Sequence, residues 1–104
     1  MFKAIILLTR AEGASRAEFR SWWLERHAPL AGQLPGLRRL VFNIVETDGV
    51  SYDGVSELWF DTQVDFEDAY ASELGQQVVA DSLANVSTRV RLFVDEHALF
   101  ESGR

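Results

Sequence analysis

A chain of 104 residues, 47% of them apolar, can bury one core but is too short for two independent ones. Without a cysteine it forms no disulfide and offers no thiolate to a reaction or a metal. Sixteen acidic residues against ten basic ones give a net charge of −6, which opposes binding to a phosphate backbone and argues against nucleic acid as a partner.

The chain contains no run of eighteen apolar residues, and the apolar stretch 2–8 is far shorter than a membrane span or a secretion signal. The expectation is therefore a cytoplasmic protein with no membrane partner, forming a single domain over 1–104 with a polar tail at 101–104. Residues 2–9, rich in Ile and Leu and followed by a polar stretch, read as a first strand. Ser15 with Glu18 three residues later is a capping-box pattern, in which each side chain satisfies a free backbone N–H of the other at a helix start. Phe19, Trp23, Leu30 and Leu34 then follow on one helical stripe with His27 near its edge. Pro29 lacks an N–H and its ring opposes a continuous helix, so a kink or break is expected near His27, with a restart toward Leu34.

Pro35 and Gly36 mark a turn before a second strand over 37–47, which Asp48 and Gly49 end. A third strand over 52–60 sets Val55, Glu57 and Trp59 on one face and Ser56, Leu58 and Phe60 on the other. Thr62 with Asp65 resembles a second cap, opening a helix from Val64 to about Leu83 with a possible bend at Gly75. A fourth strand is expected over 88–100.

Two successive units of strand, helix and strand indicate an α+β fold of ferredoxin-like β-α-β-β-α-β order, a four-stranded antiparallel sheet with both helices on one face. The other face is then uncovered. The first strand is apolar on both sides, so a second sheet should cover it, and pairing of two copies into a barrel-like homodimer with a small cavity between sheet and helices is the natural solution. A monomer offering an apolar patch to a different partner is the alternative.

His27 is the first chemical candidate, because a group titrating near neutrality at an interrupted helix can be aimed into a cleft; a satisfied core histidine is the competing reading. Glu57, a carboxylate between Val55 and Trp59 on a central strand, should be desolvated with its pKa pushed up, unless it is held in an ion pair with Arg91 or Arg39. Arg91, Phe93, Asp95 and His97 alternate onto one face of an expected edge strand, where they could serve the same cavity or merely block further pairing. The close pairs Arg38–Arg39 and Arg89–Arg91 read as strand-edge or site charges. Tyr52, Tyr70, Trp22 and Trp23 could line an apolar pocket or simply fill the core. No Gly-rich phosphate loop, HExxH or G-x-S-x-G occurs, and two His seventy residues apart make no metal motif, so neither cofactor nor metal is expected.

The segment Ser15-Arg-Ala-Glu-Phe-Arg-Ser-Trp-Trp-Leu-Glu-Arg-His-Ala-Pro-Leu30 resembles the first-helix signature of EthD-domain proteins, in which Trp-x-x-x-His-Ala-Pro-Leu recurs, here Trp23 to Leu30. The segments 52–61 and 93–97 extend the resemblance over essentially the whole chain. The family belongs to the dimeric α+β barrel superfamily and is named after a bacterial ethyl tert-butyl ether degradation system, where the EthD component accompanies a cytochrome-type oxygenase. The resemblance implies a sheet-to-sheet dimer and places the family's recurrent His on His27 and its third-strand acid on Glu57. The wider superfamily holds cofactor-free oxygenases, lactone isomerases and cyclases. The expected function is thus binding of a small, apolar organic ligand and acid–base assistance to its catabolism by isomerisation, cyclisation, dehydration or oxidation. His27 and Glu57 would be catalytic, with Trp23, Trp59, Phe93, Arg91 and His97 lining the ligand site. A non-catalytic accessory of an oxygenase partner is the alternative.

Overall fold

The computed structural model describes residues 1–103, in the order β1 (Phe2–Arg10), α1 (Arg16–Trp22), a π-turn (Trp23–His27), α2 (Ala28–Ala31), β2 (Leu37–Ile44), β3 (Gly54–Phe60), α3 (Gln63–Ala71), α4 (Glu73–Asn85) and β4 (Val86–Val94). The four strands form one antiparallel sheet in the order β2-β3-β1-β4, with β1 and β3 central and β4 at an edge. The helices cover one face. Ala4, Ile6 and Leu8 of β1 and Leu58 and Phe60 of β3 point into this core, where Phe19, Trp23, Ala31, Phe66 and Val78 meet them. Ile5, Leu7, Val55, Val90 and Leu92, on the alternate positions, form an outer face that no helix covers.

Ser15 caps α1 as its pattern requires: its Oγ accepts from the Glu18 amide at 3.0 Å while the Glu18 carboxylate accepts from the Ser15 amide at 2.8 Å. The break ahead of Pro29 is a π-turn, in which the Ala28 amide donates to the Trp23 carbonyl five residues back. The wider turn accommodates one extra residue, and Pro29 then falls in the first turn of α2, where a missing N–H costs nothing. That extra residue shifts the buried stripe. Trp22, Trp23, His27, Ala31 and Leu34 are buried, and Leu30, expected on the stripe, is only half-buried.

The second helical segment is two helices, not one bent at Gly75. Ser72 leaves the helical conformation, and its Oγ accepts from the Gly75 amide at 3.0 Å to start α4. Gly75 answers a different need: a Cβ there would collide with the Ala69 carbonyl, so only glycine lets α4 begin hard against the end of α3. Two strands are shorter than their composition suggests. β4 ends at Val94, opposite Lys3, and residues beyond 95 run past the start of β1 at Phe2 and have no strand to join. Asp95 and His97 are therefore off the sheet. Likewise β2 stops at Ile44, opposite Gly54, where the chain enters the 45–53 loop.

Candidate functional site

The π-turn aims His27 into the core between Trp22 and Phe42. Its ring lies 5.0 Å from that of Trp22, while Trp23 stacks on Phe42 of β2 at 4.1 Å and 10°. Trp23 reaches the sheet only because Gly54 faces it: a Cβ at Gly54 would come within 2.7 Å of the indole and 2.9 Å of the Phe19 ring. The sheet side of the site is thus shaped by an absent side chain.

From α4, Asp81 Oδ2 meets His27 Nδ1 at 2.8 Å and also accepts from the Trp22 indole at 3.2 Å; Asn85 donates to the Asp81 carbonyl at 2.9 Å. A carboxylate can only accept, so Nδ1 carries the hydrogen and Nε2 of the neutral ring is left as the acceptor. Nε2 lies 3.3 Å from the Ser82 hydroxyl. Burial pushes the His27 pKa below its ordinary 6.5; Asp81 opposes this, and the nearby Arg89 charge adds to it. The ring is therefore neutral at pH 7.

Beside His27 lies a cavity of about 10 Å³, the space of about one water. Trp23, Phe42, Leu58 and Val78 supply apolar wall, and Ser82, Tyr70 and Arg89 supply polar groups. Ser82, His27 and Asp81 have the order of a nucleophile, base and orienting acid. Yet Ser82 is only 4% exposed and lies inside α4, where backbone amides are committed to helix bonds and none is free to hold an oxyanion. The Asp81–His27 pair is better suited to moving a proton than to launching a hydroxyl.

Of the residues singled out from sequence, His27, Trp23, Tyr70 and Arg89 border this cavity. Glu57 lies on the outer face, separated from His27 by the sheet. Its carboxylate pairs with Lys3 Nζ at 2.9 Å and accepts from Asn43 at 2.9 Å, and these contacts hold its pKa below the ordinary value, opposite to the upward shift expected from burial. An ion pair was an open alternative there, with arginine; the partner is Lys3. Trp59 shares that face, with the Lys3 ammonium 4.4 Å from its ring and the Arg39 guanidinium at 4.6 Å, and its indole donates to Glu96 at 2.8 Å. Phe93 and Arg91 are on the helix side but farther along β4, against Phe66. His97 is exposed beyond β4 and contacts only Asp95, at 3.0 Å.

Asp81 and Ser82 were missed as site residues, and Arg89 was read only as a strand-edge or site charge. Gly75, Val78 and Ser82 recur at intervals of 3 and 4 on α4, so a polar Ser on that stripe was the available signal, with Asp81 beside it. A much larger open groove, about 1220 Å³, runs between the β1–α1 loop and the 45–53 loop. Four of its five charged residues are spent on the pairs Arg10–Asp53 at 2.8 Å and Arg16–Asp48 at 3.0 Å, and only Glu12 is left, so the smaller cavity with its His27–Asp81 pair is the chemical candidate. Among the described residues no three His, Asp or Glu side chains converge as metal ligands, and no helix is long and apolar enough to cross a membrane.

The EthD domain model matches residues 11–87. No curated protein matches the sequence significantly. In fold, the chain is similar to an ethyl tert-butyl ether d (EthD) family protein of Bacillus halodurans, at 19% identity and a TM-score of 0.80 over 93% of this chain and 100% of that one. SnoaB of Streptomyces nogalater, a cofactor-independent oxygenase, aligns at 18% identity and a TM-score of 0.72, over 96% and 97% of the two chains. A dimeric ferredoxin-like protein of Thermobifida fusca aligns at 15% identity and a TM-score of 0.73, over 89% and 88%.

Proposed function

We propose, from the premise that this chain belongs to the EthD domain family, that the protein pairs through the outer face of its sheet and binds a small, largely apolar organic molecule beside His27, assisting its catabolic conversion by acid–base chemistry. The observation that carries this reading is the 2.8 Å contact of His27 Nδ1 with Asp81, which leaves Nε2 of a neutral imidazole as an acceptor at the largely apolar cavity, with the Ser82 hydroxyl 3.3 Å away. Nε2 takes a proton from the ligand and later returns it. Asp81 fixes the tautomer and stabilises the imidazolium formed in between, while Trp23 and Phe42 keep water away. Glu57 has no part in this step, being on the other side of the sheet and held by Lys3.

As it stands the cavity admits about one water, so a ligand enters by displacing wall side chains. Leu40, Phe42, Tyr70 and Arg89 are half-buried and reach the surface, and rotation of these side chains opens a path without moving the sheet. Pairing is supported by the apolar outer face and by dimeric neighbours of the same fold. Proton transfer of this kind needs no cofactor, and a cofactor-independent oxygenase among proteins of similar fold supports the reading.

The test is solvent-deuterium incorporation, followed by NMR, into a panel of small cyclic organic compounds first screened for binding by thermal shift. Wild-type protein exchanges a bound compound, and His27→Ala reduces the rate by about 10²–10⁴-fold while retaining its affinity. Binding without exchange in the wild type would discard the catalytic reading and leave the accessory role beside an oxygenase.

A further inference from the structure

Among the described residues, three lysine or arginine side chains are held out of full exposure: Lys3, Arg10 and Arg89. Lys3 meets Glu57 at 2.9 Å and Arg10 meets Asp53 at 2.8 Å. Arg89 has no carboxylate partner among the described residues, although the chain carries six more negative than positive charges. Its Nε is buried with no hydrogen-bond partner, and it borders the same cavity as His27. Such a group is costly to enclose and is expected to be satisfied in a native fold, so an unmet N–H on a residue that lines a cavity points to something that enters and meets it. Arg91, two residues on and also on the helix side, faces the Phe66 and Phe93 rings at 5.3 and 5.2 Å and supplies no counter-ion. The one carboxylate at the site, Asp81, is committed to His27 and Trp22.

Resting on the reading of the cavity given above, we infer that its substrate is an enolisable carbonyl compound, neutral when it enters, whose oxygen becomes an enolate held by Arg89 Nε–H when His27 Nε2 removes the adjacent proton. The step balances without a co-reactant. The C–H bond breaks, its electron pair forms the new C=C, the carbonyl π pair moves to oxygen, and the proton joins Nε2. Return of that proton to another carbon of a conjugated enolate completes an isomerisation in which nothing is oxidised. The charges also balance: separating a proton from a neutral molecule creates one cation and one anion, and each has a counter-ion already in place, Asp81 for the imidazolium and Arg89 for the enolate. Tyr70 stands beside Arg89, and burial raises its pKa, so its hydroxyl stays protonated as a second donor.

A pair of probes that differ in the ability to carry this charge tests the inference: 4-nitrophenol, whose phenolate mimics an enolate and absorbs visibly, and nitrobenzene, which cannot ionise. The wild-type protein binds the phenolate roughly tenfold or more tightly than nitrobenzene, and the bound phenol ionises at a lower pH than the free one. Arg89→Met weakens phenolate binding by roughly tenfold while leaving nitrobenzene within about twofold, and Arg89→Lys, which keeps charge but not the planar N–H, falls between. Equal wild-type affinity for both probes, or unchanged phenolate binding in Arg89→Met, overturns the inference while the cavity reading stands. Failure of both probes to bind the wild type removes that reading as well. The spectral shift needs no variant, so it decides the matter even if Arg89→Met does not fold.

Discussion

On the outer face of the sheet a carboxylate and a base stand 2.9 Å apart, Glu57 and Lys3; beneath the sheet Asp81 and His27 stand 2.8 Å apart. Both pairs are enclosed by aromatic side chains, and Lys3 is as buried as His27. They differ in where their protons can go. Lys3 and Asn43 hold Glu57 below its ordinary pKa against burial and the nearby Glu96 charge, and the two carboxylates hold Lys3 above its own despite burial, so both stay charged through the neutral range. His27 is pushed the other way by burial, stays neutral, and keeps at the cavity an acceptor nitrogen met only by the Ser82 hydroxyl among the described residues, at 3.3 Å. Burial of an ionisable group therefore does not by itself mark a proton-transfer site. What matters is whether its partner consumes its capacity or leaves one atom free.

The contrast can be broken most severely from the outside. Leu7→Glu puts a carboxylate in the middle of the apolar outer face; enclosing it between two sheets costs about 3–5 kcal/mol per protomer, and light scattering at micromolar concentration should find monomer where the parent is dimeric. A parent that is itself monomeric would remove the pairing proposal. Next comes Asp81→Asn, which can offer an N–H to Nδ1 and favour the wrong tautomer. It should lower deuterium exchange by about 10²-fold, with ¹⁵N shifts of His27 reporting the tautomer change. Glu57→Gln should leave exchange within about twofold and cost about 1 kcal/mol or less in urea melts, because Lys3 keeps Glu96.

Acid sensitivity separates the faces a second time. As pH falls below 6.5 the unfolded chain protonates His27 before the folded one does, so stability declines downward from 6.5 to the lowered folded-state value, and His27→Ala should flatten that part of the curve. Glu57 lends stability that is fully present above 4.5 and is lost as pH falls through its own lowered folded-state value. Glu57→Gln should therefore flatten only the more acidic part. Urea melts between pH 3 and 8, the range bracketing roughly both windows, distinguish the two.

The parts that were legible in sequence are those governed by neighbours along the chain. The capping box at Ser15, the interruption before Pro29 and the two-sided apolar pattern of β1 are local, and the structure follows each of them. Asp81 was not legible, because the reason it matters lies 54 residues away on another helix. Glu57 was misjudged for the same reason. The alternation of β3 correctly put it on the Val55 and Trp59 face, but only register decides that Lys3 sits within reach and turns an expected upward shift into a downward one. Asp95 and His97 continue an alternating pattern past Val94, where β4 ends near the start of β1.

Period, caps and the missing N–H of Pro29 determined that this chain makes four strands and interrupted helices with one sheet face left bare, since each of these follows from backbone chemistry within a few residues. Which side of the sheet carries the candidate site was decided only in three dimensions. There, the absent side chain of Gly54 lets Trp23 close one wall, α4 brings Asp81 to His27, and β4 carries an unpaired Arg89 to the same cavity. Charge becomes reactive or inert according to its partners, and those partners come from elements that the sequence sets far apart.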